Sequence, residues 1–187
     1  YAAELGPRHI KVGFGVDSAA WDFDKVRDRL GELSHQFETT GTLLAVEPMP
    51  YADVKNPKVA IELIESVGAR NLGIVVDFWH ATRSGVNPSD LAAIPVDRIV
   101  VVELADGFST ALEPLIVDCI DNRALPGEGD FPVVEMVRVL SQAGYAGPWS
   151  VEMLSTSFRA MPAKEGIEKA ASATRRLVAA GRTPDRY

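Results

Sequence analysis

Cysteine is almost absent from this sequence, and its scarcity excludes two kinds of stabilisation. The 187 residues include a single cysteine, Cys119. The chain therefore forms no internal disulfide and no zinc cluster built from several thiolates. A chain without disulfides is typical of proteins that fold in a reducing compartment. We therefore expect a cytoplasmic protein.

Long apolar runs and an excess of basic residues are also missing. No stretch approaches the roughly 20 apolar residues that a membrane-spanning helix needs, and the first residues lack the basic-then-apolar profile of a signal peptide. The chain has 19 Lys and Arg against 26 Asp and Glu, a formal net charge of −7. Nucleic-acid binding depends on clustered Lys and Arg. We expect neither a membrane nor a nucleic acid as a partner.

Short apolar runs alternate with longer segments of helical periodicity from one end of the chain to the other. The apolar runs predict five strands, at 9–14, 42–47, 72–77, 98–103 and 149–152. Helices are predicted at about 23–39, 57–67, 131–143 and 163–180, with a short one near 89–94. Asn56 followed by Pro57 marks the start of the second helix and Gly68 marks its end.

Five successive βα units predict an α/β protein with a parallel sheet whose two faces are both covered. A doubly wound open sheet and a (β/α)₈ TIM barrel both satisfy the pattern. A closed barrel needs about 250 residues, so the five units would form the C-terminal part of one, and about three N-terminal units would be missing. No linker divides residues 1–187, which are expected to form a single (β/α) barrel domain. Its first strand would be an unpaired edge, so a homo-oligomer is one expected consequence.

Four of the predicted strands end in a carboxylic acid. Because the carboxyl ends of parallel strands emerge on one side, these acids should converge on a single mouth. They are Glu47, Asp77, Glu103 and Glu152. Side-chain alternation that turns Glu103 inward also turns Val101 and Ile99 inward. Val100 and Val102 should then face the helices.

Carboxylates that share one mouth repel one another, which a divalent cation would relieve. An all-oxygen shell favours Mg²⁺ or Mn²⁺, with Co²⁺ and Zn²⁺ as alternatives. At any one position the competing interpretation is a helix cap or a solvated loop residue. Four acids in register favour a metal site formed by all of them.

Two other residues are candidates for contacting a substrate. His80 lies three positions after Asp77, and its imidazole could touch a substrate oxygen. Arg123 precedes the Pro-Gly-Glu-Gly turn at 126–129, and a guanidinium there could fix a hydroxyl or a developing oxyanion. The simpler alternatives are a loop histidine and ordinary turn chemistry. Asp106 is expected either to orient Arg123 or to cap the loop that follows it.

Five segments, in this order, resemble the xylose isomerase-like (β/α)₈ superfamily of sugar isomerases and epimerases. They are LLAVEP (43–48), VVDFWH (75–80), VVELADG (101–107), RALPGEGDF (123–131) and GYAGPWSVE (144–152). The resemblance implies substrate binding by His80 and Arg123. It also implies one divalent ion at Glu47, Asp77, Glu103 and Glu152. Glu103 stands where similar proteins often have His and some have Gln.

The resemblance also implies a mechanism. The metal would polarise a ketose carbonyl and its neighbouring hydroxyl, while Glu47 and Glu152 remove and return a proton through an ene-diolate. We therefore expect a divalent-metal-dependent sugar isomerase or epimerase with a small sugar or polyol as substrate.

The sequence leaves three alternatives to this reaction. With His80 as the base and loss of water, the same site would be a dehydratase of a cyclic polyol or dehydroshikimate-like acid. A barrel that only binds a sugar, without catalysis, is the second. The endonuclease branch of the superfamily needs a histidine-rich trinuclear zinc site, which three histidines and an acidic charge disfavour.

Overall fold

A five-stranded parallel sheet forms the centre of the protein. The computed structural model describes residues 2–16 and 21–182. The strands are β1 (His9–Val12), β2 (Leu43–Val46), β3 (Leu72–Asp77), β4 (Ile99–Leu104) and β5 (Trp149–Val151). Each pairs in parallel with the next in chain order. The structure confirms all five predicted strands, with β1 ending two residues earlier than expected.

Eight α-helices connect and cover the strands in the described residues. They are α1 (Ala2–Leu5), α2 (Phe23–Glu38), α3 (Pro57–Val67), α4 (Phe78–Arg83), α5 (Leu115–Asp121), α6 (Val133–Gln142), α7 (Thr156–Arg159) and α8 (Ala163–Arg182). The short helix predicted near 89–94 is a 3-10 helix, Pro88–Ala93. Within residues 2–16 and 21–182, no helix combines the length and the apolar character needed to cross a bilayer.

The ends of α3 follow the predicted signals. The Asn56 side chain accepts a hydrogen bond from the backbone N–H of Val59 at 3.1 Å, and Pro57 takes the first helical position. Gly68 ends the helix in the left-handed conformation, with a φ of 70°, which a glycine adopts without steric cost. Local chemistry alone therefore sets both boundaries of this helix.

The order of the strands distinguishes a barrel from a doubly wound sheet. In a doubly wound sheet the strand order reverses at a switch point, whereas here it runs without reversal from β1 to β5. The sheet is also curled, which brings its two edges together: Nζ of Lys11 on β1 lies 3.1 Å from Oε1 of Glu152, the residue that follows β5. The chain thus forms a curled half-barrel of five βα units, as expected for an incomplete (β/α)₈ barrel.

The convex face of the half-barrel carries the main hydrophobic core. Strand side chains that point outward pack against the apolar stripes of the helices, and their burial supplies most of the stabilisation. The strand residues of this core include Leu44, Val46, Ile74, Val76, Val102 and Leu104. A smaller apolar cluster of Ala45, Val75, Val100 and Val101 lines the concave face, with Leu43 packed against it.

At the start of β4, the side chains do not alternate between the two faces of the sheet as predicted. Ile99 joins the helix-side core and Val100 joins the concave cluster, so the predicted orientations of these two residues are wrong. The cause is an irregularity in the pairing: Ile74 pairs with Ile99, but Val75 pairs with Val101, which leaves Val100 as an extra residue. From Val101 onward the alternation holds, and Glu103 faces the concave side as expected.

Gly73 on β3 makes room for this extra residue. A Cβ at this position would collide with the backbone oxygen of Arg98 and with the side chain of Val100. The absence of a side chain therefore allows β3 and β4 to approach where Val100 turns inward.

Replacing Gly73 with Ala should lower the free energy of unfolding by about 1–3 kcal/mol, because the added methyl group overpacks a filled site. Urea denaturation followed by circular dichroism measures the change. The matched control is Gly31→Ala in α2, where a Cβ would lie 3.6 Å from the Val67 side chain. That is an ordinary contact in a helix interior, so the control should be at least as stable as the parent. Equal unfolding energies for Gly73→Ala and the parent would contradict the close approach.

Candidate functional site

The four predicted strand-end acids meet at one mouth of the half-barrel. Glu47 follows β2, Asp77 ends β3, Glu103 lies in β4 and Glu152 follows β5. The first three are buried, with 8%, 2% and 8% of their surface exposed. Two cationic side chains, Lys11 and Arg123, lie among them.

Asp77 is fixed by two different donors. Its Oδ1 caps the first turn of α4 by accepting the backbone N–H of His80 at 2.7 Å. Its Oδ2 accepts a hydrogen bond from Nη1 of Arg123 at 2.8 Å. Burial disfavours the charged form, but Arg123 and His80 outweigh this effect and hold the pKa of Asp77 below its ordinary value. Asp77 is therefore a carboxylate at neutral pH.

His80 turns its ring into the mouth as a neutral imidazole. The residue is 3% exposed, and its ring lies edge-on to Tyr51 and Trp79, with centroid distances of 5.8 and 5.2 Å. Burial, aided by Arg123, lowers the pKa of His80 despite the nearby Asp77. Its Nε2 lies 3.3 Å from Nη2 of Arg123 and 4.0 Å from Oε1 of Glu47. Since a guanidinium only donates, Nε2 is the unprotonated nitrogen.

The Arg123 guanidinium forms ion pairs with two of the acids. Besides Asp77, its guanidinium contacts Glu152, with Nη2 lying 3.2 Å from Oε2. Its Nε donates to the backbone oxygen of Cys119 at 3.1 Å, and the group lies over the Trp79 ring at 5.3 Å. The residue is 3% exposed. This side chain is therefore a rigidly held counter-ion of the acids, and its predicted contact with a substrate stays a prediction.

Lys11 is the site residue that the sequence interpretation missed. Its ammonium donates to Glu47 Oε1 at 3.0 Å, to Glu103 Oε2 at 2.9 Å and to Glu152 Oε1 at 3.1 Å. Burial alone would lower the pKa of Lys11, but the three carboxylates, Glu47 foremost, raise it above its ordinary value. The signal in the sequence is one lysine between two apolar residues of β1, which does not by itself indicate the three carboxylates.

The carboxyl groups of Glu47 and Glu103 respond to this crowded setting. Burial raises the pKa of Glu47 to about 7, against the opposing effect of Lys11 and with the help of Asp77 and Glu103. Burial also raises the pKa of Glu103, again opposed by Lys11. Glu47 is thus poised to exchange a proton near neutral pH.

Four groups in the described residues come together as a candidate metal site. Glu47, Asp77, His80 and Glu152 each offer one ligand atom, and these atoms all lie within 4.8 Å of one another. Glu103 lies outside this set of four and accepts a hydrogen bond from Lys11, whereas His80 is a member of the set. Three acids with one fixed guanidinium leave two negative charges, which a divalent ion would balance. The residues therefore fit a divalent metal.

Asp106 anchors the loop that carries Arg123. It is completely buried, and its carboxylate accepts the backbone N–H groups of Gly107, Gly127 and Phe131 at 2.8, 3.1 and 3.0 Å. Its backbone also exchanges two hydrogen bonds with Ala124. Of the two expected roles, Asp106 performs the second, holding the loop directly, and it positions Arg123 only through the adjacent backbone.

Comparisons with known proteins agree with the half-barrel fold. The family described as xylose isomerase-like TIM barrel matches residues 1–177. The inosose isomerase of Halalkalibacterium halodurans is 30% identical over 151 residues, which are 80% of this chain and 52% of that protein. The 3-dehydroshikimate dehydratase of Pseudomonas putida is 31% identical over 164 residues, 87% of this chain and 26% of that protein.

Solved structures share the fold. The crystal structure of the IOLI protein with a bound zinc atom superposes with a TM-score of 0.85 at 23% identity, over 98% of this chain and 67% of that one. The chain spans about half the length of the inosose isomerase and about a quarter of the dehydratase.

Replacing Asp106 with Ala should lower the free energy of unfolding by at least about 2 kcal/mol, since each buried N–H left without an acceptor costs about 1–3 kcal/mol. The matched control is Asp130→Ala, because Asp130 is exposed and accepts the N–H of Ser109 at 2.8 Å. The control should cost under about 1 kcal/mol. Thermal and urea unfolding measure both variants, and equal losses would contradict the anchoring role of Asp106.

Proposed function

This chain belongs to the xylose isomerase-like TIM barrel family, and we propose that it carries the active site of a divalent-metal-dependent isomerase or epimerase acting on a ketose by proton transfer. The observation that supports this function is the convergence of Glu47, Asp77, His80 and Glu152 on one mouth. The similarity to the inosose isomerase points to a small cyclic or open-chain sugar as substrate.

The metal site in this proposal uses the ligand atoms that lie together. Glu47, Asp77, Glu152 and His80 would hold the ion, while Glu103, one of the four acids predicted as ligands, would pair with Lys11. An imidazole among carboxylates favours Mn²⁺, Co²⁺ or Zn²⁺ over Mg²⁺. A divalent ion bound there would polarise a ketose carbonyl and acidify the neighbouring C–H group.

The proposed proton transfer belongs to Glu47 and Glu152. Glu47 follows β2, and its Oε1 lies 3.0 Å from Nζ of Lys11; in the proposed reaction its carboxylate would be one of the two groups that remove and return the proton. Glu152 follows β5, the last strand of the curved sheet, and its two oxygens contact Lys11 and Arg123. Two carboxylates on different sides of a bound ketose would exchange a proton with opposite faces of the same carbon, which inverts its configuration.

A dehydratase is the second candidate, and the neutral His80 favours it. An imidazole whose pKa is lowered by burial is an available base at neutral pH. The similarity to the 3-dehydroshikimate dehydratase adds support. In that reaction His80 would take the proton and water would leave, so no proton would return to carbon.

The isomerase proposal predicts incorporation of solvent deuterium at the carbon next to the carbonyl. Ketoses and cyclic inososes are incubated with the protein and Mn²⁺ in D₂O, and the products are analysed by NMR and mass spectrometry. Glu47→Gln and Glu152→Gln should each reduce uptake by at least about 100-fold, the usual contribution of a general acid or base. The matched control, Glu62→Gln on the exposed face of α3, should keep the parent rate.

Other outcomes separate the alternatives. An isomerised product formed without deuterium uptake would indicate hydride shift and contradict the two-carboxylate scheme. Release of water without deuterium uptake, abolished in a His80→Gln variant, would support the dehydratase. Tight sugar binding without any turnover would indicate a barrel that binds sugars and does not catalyse.

Metal affinity should rise with pH through about 7, because Glu47 binds a metal ion only as a carboxylate and burial sets its pKa near this value. Below pH 7 each Mn²⁺ that binds displaces about one proton, and well above pH 7 the affinity levels off. Isothermal titration calorimetry in two buffers of different ionisation enthalpy measures both the affinity and the proton release. An Mn²⁺ affinity that stays constant from about pH 6 to 8 would contradict the raised pKa.

A further inference from the structure

Lys11 is the charged side chain of the mouth to which the proposed reaction gives no task. An ammonium has three N–H donors, and here each faces a different carboxylate at 2.9 to 3.1 Å. The donors are therefore fully used by protein groups. Such an ammonium is a counter-ion of the acids and has no free donor for a substrate.

Lys11 and a metal ion would need the same carboxylates. Glu47 and Glu152, which Lys11 binds, are two of the four residues whose ligand atoms lie together. A divalent cation placed between them would approach the ammonium closely, and two cations at such a distance repel strongly even when partly solvated. An ammonium and a divalent ion would therefore compete for these carboxylates.

The two cations of the mouth differ in their freedom to move. The Arg123 side chain is completely buried and is bonded to the backbone of Cys119. The Lys11 side chain is 31% exposed and has a flexible four-carbon stem. Arg123 is therefore a fixed charge, whereas Lys11 is able to swing away.

Glu103 offers Lys11 a carboxylate that a metal ion at the candidate site would not use. It accepts the shortest of the three hydrogen bonds of the ammonium, at 2.9 Å, and it lies outside the candidate metal group. If Lys11 kept only Glu103, the pair would be neutral. The acids of the metal group with Arg123 would then carry the two negative charges that match one divalent ion.

We propose that Lys11 is an internal competitor of the divalent ion. In the metal-free protein its ammonium holds Glu47, Glu103 and Glu152 together, and it withdraws to Glu103 when a metal ion takes the other two. Lys11 and Glu103 thereby set the metal affinity of the site from opposite directions. This inference rests on the proposed metal site.

Mn²⁺ titration of the full chain by calorimetry tests the competition. Lys11→Met removes the competitor and should tighten Mn²⁺ binding by at least about tenfold. Glu103→Gln removes the carboxylate to which Lys11 would withdraw, and it should weaken Mn²⁺ binding by a similar factor. The double variant should bind Mn²⁺ about as tightly as Lys11→Met, because without Lys11 there is no ammonium for Glu103 to receive. Lys58→Met, at an exposed residue of α3, makes the same change in net charge and should leave the affinity unchanged.

Melting in the presence of a chelator provides a readout independent of binding. The metal-free Lys11→Met protein should melt at a lower temperature than the parent, because three carboxylates lose their counter-ion, and Mn²⁺ should stabilise it more than it stabilises the parent. Should Lys11→Met fail to fold, the weaker binding of Glu103→Gln still tests the inference.

The outcomes separate this inference from the proposed function. If the parent binds Mn²⁺ and Lys11→Met binds it no more tightly, Lys11 does not compete and the inference fails, while the metal site stands. If Lys11→Met binds Mn²⁺ and the parent does not, the competition is supported in its strongest form. If neither binds Mn²⁺ at millimolar concentration, the proposed metal site fails, and the inference fails with it.

Discussion

Repulsion among acidic side chains at the carboxyl ends of four strands is the constraint on which the other features of the site depend. Glu47, Asp77 and Glu103 are buried, and a buried carboxylate needs a partner. The protein supplies several kinds of compensation: the fixed guanidinium of Arg123, the ammonium of Lys11 and a backbone N–H that caps Asp77. Where compensation falls short, as at Glu47, the pKa rises toward neutrality. The same shortfall that destabilises the charged form makes this carboxyl suited to proton exchange.

The scaffold holds these charges by making their supports rigid. β3 is buried along its whole length, and Asp77 at its end begins α4 directly, so strand and helix together fix His80. On the other side, Asp106 gathers the backbone of the loop after β4 and so fixes the segment that carries Arg123. Preorganised groups of this kind bind a ligand without the cost of ordering side chains. Lys11, partly exposed on β1, is the flexible member.

The sequence predicts the architecture well because strands, caps and alternation are local properties. Continuous apolar runs located all five strands, Asn56 and Gly68 located both ends of α3, and parallel topology brought the four acids together. The features that the sequence did not predict depend on tertiary contacts. The extra residue Val100 depends on how closely Gly73 allows two strands to approach, which no window of sequence contains. Lys11 was missed because one lysine in an apolar strand gives no hint of three carboxylates supplied by three other parts of the chain.

The contact between Lys11 and Glu152 joins the two edges of the sheet, since β1 and β5 are its first and last strands. It crosses the concave side of the half-barrel. Under the proposed competition, a cation that takes Glu152 from Lys11 would also break this contact between the two edges, and metal binding would then be coupled to the curvature of the half-barrel.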